Sequence, residues 1–206
     1  MVYLFDDIAS FSSQDLAVAR ALVSGQRRDK ALMFKFEKDQ KLSVIAYLLL
    51  MHGLKREYGI TAAQEFCYSE REKPSLKNYP EIHFNISHCP KAVACAIAAE
   101  PVGIDVEEMS HYSPDLSEYV HNASENKQIQ SLERPQEEFC RLWTVKESIL
   151  KITGIGLVDD TKDLIAKHKD LTIRSKVYPE RGYAMSYALR SDKILLVVKV
   201  TELLNL

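Results

Sequence analysis

The sequence has no apolar run long enough to cross a bilayer, no closely paired cysteines, little glycine or proline, and no surplus of either charge. Its longest apolar runs, such as Tyr47 to Met51 and Ile194 to Val198, stop far short of the roughly 18 residues a spanning helix needs, so no membrane partner is expected. Seven glycines and seven prolines in 206 residues exclude collagen-like and low-complexity chains. The four cysteines, Cys67, Cys89, Cys95 and Cys140, form no CxxC pair. They match neither zinc-ligand spacing nor a disulfide framework, and read as reduced thiols. A formal net charge of −2 argues against a nucleic-acid binder and an acidic disordered tail alike, so partners must be sought through local charge. The amino terminus, MVYLFDDIASFSSQD, sets Asp6 and Asp7 where a secretory signal would continue its apolar core, so a cytoplasmic protein is expected. What remains, 46% hydrophobic and 27% charged residues, is the composition of a folded globular protein, of a length between one domain and two.

Hydrophobic periodicity predicts an α+β chain. A strand over Val2 to Phe5 precedes a helix that starts at Ser12 or Ser13 and carries Leu16, Ala19 and Val23. Apolar residues recur with a helical period from Glu37 to about Tyr58, and Gly59 is placed to end that helix. Strands are expected at Gln64 to Ser69, Ile82 to Ser87 and Ala92 to Ala98. The second half repeats the order: a strand at Val102 to Glu107, helices over Pro114 to Leu132 and Pro135 to Ile152, then strands at Leu171 to Tyr178, Gly182 to Leu189 and Ile194 to Thr201. The expectation is two similar α+β halves, 1–101 and 102–206, with the seam at Pro101 and Val102.

Four segments carry residues suited to chemistry. In GIDVE, Gly103 to Glu107, strand alternation puts Asp105 and Glu107 on one face about 7 Å apart, with Ile104 and Val106 facing a core. Two carboxylates on a rigid face suit a hard cation, although a solvated strand end has the same pattern. In Phe139 to Leu157, Leu142, Val145, Ile149 and Ile152 make an apolar stripe. Trp143, Glu147 and Lys151 lie opposite, with Lys146 beside them and Gly154 as a cap; an amphipathic surface helix is the plain alternative. In IHFNISHCP, Ser87 and His88 end a strand where a phosphate could meet its edge. Ser24 to Ser43 concentrates Arg27, Arg28, Lys30, Lys35, Lys38 and Lys41, which otherwise reads as a solvated helix face.

Taken together and in this order, KP at Lys73–Pro74, FNISH at Phe84 to His88, GIDVE, and WTVKESILK at Trp143 to Lys151 resemble the 4′-phosphopantetheinyl transferases of the long, single-chain type. The resemblance covers nearly the whole chain. It implies two similar halves forming a pseudo-dimer with the active site between them, a monomer, and transfer of the phosphopantetheine arm of coenzyme A to a serine of an apo acyl or peptidyl carrier protein. Adenosine 3′,5′-bisphosphate would be released. By the motif match Asp105, Glu107 and Glu147 would hold Mg²⁺, with Lys151 and Lys146 on the pyrophosphate. Arg27, Lys30, His88 and Ser43 would grip the 3′-phosphate, Lys73 and Pro74 would flank the adenine, Ser87 would add a hydrogen bond, and Glu125 would take the serine proton. Met109 to Val120, with Tyr112, Leu116 and Tyr119, matches the partner-contact stretch. Leu42 stands where the family often has an arginine. Two other readings use the same residues: a Mg²⁺-dependent phosphohydrolase of nucleotides or pyrophosphates, and a non-catalytic coenzyme A binder.

Overall fold

The structure, a computed structural model, describes residues 1–69, 73–153 and 161–204. Its elements run β1 (Val2–Phe5), α1 (Ser13–Leu22), α2 (Gly25–Leu32), α3 (Glu37–Tyr58), β2 (Phe66–Tyr68), β3 (Pro74–Leu76), β4 (His83–Cys89), β5 (Ala92–Ala98), β6 (Val102–Glu108), α4 (Pro114–Val120), α5 (Ala123–Gln130), α6 (Pro135–Thr153), α7 (Leu164–Lys167), β7 (Thr172–Tyr178), β8 (Tyr183–Leu189) and β9 (Val197–Lys199). The chain is α+β, in line with its hydrophobic periods.

Local chemistry accounts for most boundaries. Ser12 and Asp15 form a reciprocal capping box at the start of α1, satisfying two backbone donors that the first turn leaves without partners. Gly59 closes α3 at φ 69°, a left-handed conformation that costs glycine nothing sterically. The basic stretch is not one helix, and one predicted helix is shorter than its period suggested. The basic stretch from Ser24 to Ser43 divides into α2 and α3 around an exposed turn at Met33 to Phe36. The stretch from Pro114 to Leu132 breaks at His121 and Asn122, where the Asn122 side chain caps α5 and competes with helix continuation. Gly154, expected to cap α6, lies outside the described residues.

A four-stranded sheet, in the order β4-β5-β1-β9, and a three-stranded sheet, β6-β8-β7, form the centre. Alternation sorts the first sheet into two faces. Tyr3, Phe5, Phe84, Val93, Cys95 and Ile97 pack on the apolar face of α3. Val2, Leu4, Cys89 and the alanines of β5 pack on Val102, Ile104, Val106, Tyr183, Met185 and Tyr187 of the second sheet. The other face of that second sheet carries Gly103, Asp105, Ala184, Ser186 and Ala188, small or polar residues against which α6 lies. Gly103 sets this contact, since a Cβ there would stand 2.0 Å from the Ser148 carbonyl oxygen and 2.7 Å from the Ile152 nitrogen. The last strand is shorter than the predicted Ile194 to Thr201, and β9 runs parallel to β1, so the chain's end returns to the first sheet. Beside it the buried carboxylate of Asp6 receives the Tyr183 hydroxyl at 2.9 Å and lies 2.8 Å from the Lys199 ammonium.

Candidate active site

The edges of the two sheets meet where β4 runs beside β6. No continuous backbone ladder joins them; side chains do it instead. Asn85 and Ser87, two apart in β4, project from one face. The Ile104 amide donates to Asn85 Oδ1 at 2.9 Å, and Ser87 Oγ donates to Asp105 Oδ1 at 2.8 Å. From α6, Lys151 Nζ donates to Asp105 Oδ1 at 2.5 Å and to Ser87 Oγ at 2.9 Å. Three motifs expected to cooperate thus converge on one point. Asn85 escaped the sequence reading, although its spacing of two from Ser87 was the available signal.

Asp105 is only 2% exposed, which removes the solvated strand end as an explanation. Burying a carboxylate is costly unless it is paired, and here Lys151 pairs with one oxygen while Oδ2 has no hydrogen-bond partner among the described residues. Glu107, on the same strand face, is pushed up to about 7 by burial and by the charges of Asp105 and Glu147, against the pull of Lys151. Glu147 is raised by burial and by Asp105, with Lys151 opposing. Two carboxylates raised by burial and by the charge of Asp105, together with Asp105 itself, fit a hard oxygen-binding cation in their chemistry. Their arrangement is not a formed metal centre: among the described residues no group of three His, Cys, Asp or Glu side chains is disposed to hold an ion. The Lys151 ammonium is the cation that Asp105 has.

On the other face of β4, toward α3, lies a positively charged recess. Ser24 Oγ caps α2 by accepting from the Arg27 amide at 3.3 Å. The Arg27 guanidinium sits 5.7 Å from the Tyr47 ring centroid and 5.2 Å from that of Phe66, and donates to Ser43 Oγ at 3.3 Å. Among the described residues no carboxylate pairs with it, and burial draws its pKa down. His88 is reached by the same charges. Desolvation of its ring, then the Lys151 and Arg27 cations, hold its pKa below the usual value, although part of the residue is open to solvent. Lys30 stands apart, exposed, with Nζ 5.5 Å from the Tyr68 ring centroid. Leu42 packs in the core and Lys41 pairs with Glu37 at 3.0 Å. Lys73 and Pro74 line a cavity of about 330 Å³ with Phe84, Pro101 and Ile152, again between segments distant in sequence.

Two predicted residues pair with each other rather than with the Ser87–Asp105–Lys151 cluster. Lys146 was expected beside Lys151, but five residues along a helix turn the side chain by about 140°. It is fully buried, and its ammonium donates to the Val120 carbonyl at 2.8 Å and to Glu125 Oε2 at 2.7 Å. Glu125 is the third residue of α5 and completes a capping box with Asn122, while His121 Nδ1 lies 3.2 Å from Oε2. Burial would raise the Glu125 pKa, but the hydrogen bonds from His121 and Lys146 outweigh it and leave it low. Near Glu107 an apolar cavity of about 340 Å³ opens among Leu116, Val120, Phe139 and Trp143. Tyr119, in the expected partner-contact stretch, is 73% exposed, whereas Tyr112 packs on Phe139 with ring centroids 5.5 Å apart.

Two family descriptions cover adjoining parts of the chain. One for the 4′-phosphopantetheinyl transferase superfamily matches residues 101–190, and one for the 4′-phosphopantetheinyl transferase N-terminal region matches residues 10–102. The chain belongs to the 4′-phosphopantetheinyl transferase superfamily. Among curated relatives, a 4′-phosphopantetheinyl transferase of Bacillus subtilis is 32% identical over 140 residues, 66% of this chain and 62% of that protein. Psf-1, a 4′-phosphopantetheinyl transferase of Bacillus pumilus, is 31% identical over 141 residues, 67% of this chain and 60% of that protein. The L-aminoadipate-semialdehyde dehydrogenase-phosphopantetheinyl transferase of Rattus norvegicus is 33% identical over 154 residues, 66% of this chain and 49% of that protein. The chain thus spans about three fifths of its Bacillus relatives, 60–62%. Within this transferase superfamily the two matches meet at residues 101 and 102. The site crosses that junction, with Arg27, Ser43 and Ser87 before it and Asp105, Glu107, Glu147 and Lys151 after it. No helix among the described residues is long and apolar enough to cross a membrane.

Proposed function

We propose that the chain transfers the 4′-phosphopantetheine group from coenzyme A to a serine hydroxyl of an apo acyl or peptidyl carrier protein, with release of adenosine 3′,5′-bisphosphate. The observation that carries this reading is the adjacency of the Arg27 guanidinium, which no carboxylate among the described residues pairs with, and the His88 ring to the Ser87–Asp105–Lys151 cluster. A ligand with a terminal phosphate and a pyrophosphate needs both. Arg27, His88 and Ser43 bind the 3′-phosphate, with Lys30 at its outer edge. Lys73 and Pro74 enclose the adenine in the cavity between the halves. Lys151 meets the pyrophosphate, where its ammonium offsets charge that builds on the leaving group. A magnesium ion held by Asp105, Glu107 and Glu147 would neutralise the pyrophosphate and polarise the phosphorus.

Glu125 accepts the serine proton on this reading; its ion pair keeps it ionised, at some cost in basicity. Lys146 keeps that carboxylate in place. The carrier protein docks on the side of Leu116 and Tyr119, and the two α+β halves form a pseudo-dimer in a monomeric, cytoplasmic enzyme. Incubation with coenzyme A, Mg²⁺ and an apo carrier protein tests the proposal by mass spectrometry, because transfer adds about 340 Da to the carrier, whereas metal-assisted hydrolysis leaves it unchanged. Release of adenosine 3′,5′-bisphosphate without carrier modification would overturn transfer in favour of a phosphohydrolase.

A further inference from the structure

Lys73 does something its place beside the nucleotide cavity does not require. Its side chain crosses from the first half to the end of α6, where Nζ donates to the carbonyl of Lys151 at 2.8 Å and to that of Ile152 at 3.4 Å. These carbonyls belong to the last turn of a helix that ends at Thr153. A cation beside carbonyls of the last turn of a helix complements the negative end of the helix dipole. Burial of Lys73 lowers its pKa, so this ammonium has given up water for the two carbonyls. The anchor itself is held: the Lys73 carbonyl accepts from the Ser69 amide at 3.1 Å, the Lys73 amide donates to Ser69 Oγ at 3.2 Å, and β3 begins at the next residue.

The residue whose backbone is pinned is the one whose ammonium meets Asp105 and Ser87. We propose that Lys73 is a positioning residue that fixes the last turn of α6 and so aims the Lys151 ammonium at the reacting phosphate, a role separate from any contact of the Lys73 backbone with the adenine. The inference rests on the transferase reading above. It couples closure of the nucleotide cavity to the placement of the group that serves the pyrophosphate.

The test measures carrier modification and coenzyme A affinity for the wild type, Lys73→Met, Lys73→Arg, Lys151→Met and the double Met variant. Lys73→Met is expected to lower kcat about tenfold while KM for coenzyme A changes by less than about threefold, and Lys73→Arg, which can reach both carbonyls, should recover most of the loss. Because Lys73 acts through Lys151, the double variant should be no slower than Lys151→Met alone. A Lys73→Met enzyme with kcat within about twofold of the wild type, a loss confined to KM, or losses that multiply in the double variant would each overturn the proposal. Should Lys73→Met melt early, the Lys73→Arg comparison and the double-variant comparison decide at matched fractions folded. A wild type that modifies no carrier would overturn the transferase reading instead. The positioning role is then read by amide hydrogen exchange, where Lys73→Met should speed exchange at the end of α6 and unchanged exchange there would overturn it.

Discussion

Replacing Gly103 by alanine should separate α6 from β6 and disable the site without touching a charged residue. The added Cβ would lie 2.0 Å from the Ser148 carbonyl oxygen and 2.7 Å from the Ile152 nitrogen, whereas carbon and oxygen rest in contact at about 3.4 Å. Both obstacles are backbone, so no side chain can rotate away and the helix must retreat by more than about 1 Å. That retreat opens the contact of α6 with Ala184 and Ala188, stretches the 2.7 Å hydrogen bond between Thr144 and Ser186, and draws Lys151 from Asp105. Overpacking of this kind costs about 3 kcal/mol. With a urea slope of about 2 kcal/mol/M the midpoint should fall by about 1.5 M, and Tm by about 10 °C. Carrier modification should fall by more than about a hundredfold, since a misplacement near 1 Å suffices for such a loss. Gly25→Ala is the control, because its Cβ would meet nothing closer than Arg28 at 3.9 Å and alanine suits a helix start. A Gly103→Ala protein within about 0.5 kcal/mol of the wild type, with normal turnover, would refute the close approach as the feature that registers α6 on β6.

Three further perturbations address other parts of the molecule. Arg27→Ala and His88→Ala should each weaken coenzyme A binding about tenfold or more and 3′-dephospho-coenzyme A binding little; equal losses in calorimetry would place the 3′-phosphate elsewhere. Glu107, raised to about 7 from an ordinary value near 4.3, holds a proton in the folded state that the unfolded chain releases. Without divalent cations stability is therefore greatest below about pH 4 as far as this group is concerned, declines as pH rises to about 7 and then levels. Melting curves from pH 5 to pH 8 should show that decline, and Glu107→Gln should flatten it; an unchanged slope would remove Glu107 as its source. Glu125→Gln strips the buried Lys146 ammonium of its counter-charge and should destabilise the fold by about 2–4 kcal/mol as well as slow the chemical step. If turnover per folded molecule is unchanged in stopped-flow assays, Glu125 is a structural residue and another group takes the proton.

Periodic patterns carried the elements into view because burial of an apolar face is a local, repeating demand. α3 begins at Glu37 and ends before Gly59, and β5 spans Ala92 to Ala98, where the residue pattern places them. Side-chain capping was harder to read. Asn122 and the turn at Met33 to Phe36 interrupt stretches whose composition tolerates helix, and the break is decided by which backbone groups find partners. The motif residues were legible as types and spacings, yet their neighbours were not. Nothing local distinguishes Lys146, turned into the protein, from Lys151, turned into the site, except an angle around a helix whose environment is set by distant segments.

The sequence by itself determined that this is a folded α+β chain with an acidic pair two apart on one strand and a basic set upstream, because alternation and helical period are properties of neighbouring residues. Only the tertiary structure decided that Asp105 is buried, that Ser87 and Lys151 meet on it, that β9 returns to pair with β1, and that Lys73 reaches across to hold the end of α6. These are contacts between residues tens of positions apart. They form only when two sheets pack face to face and bring their edges together, a choice made by the whole core.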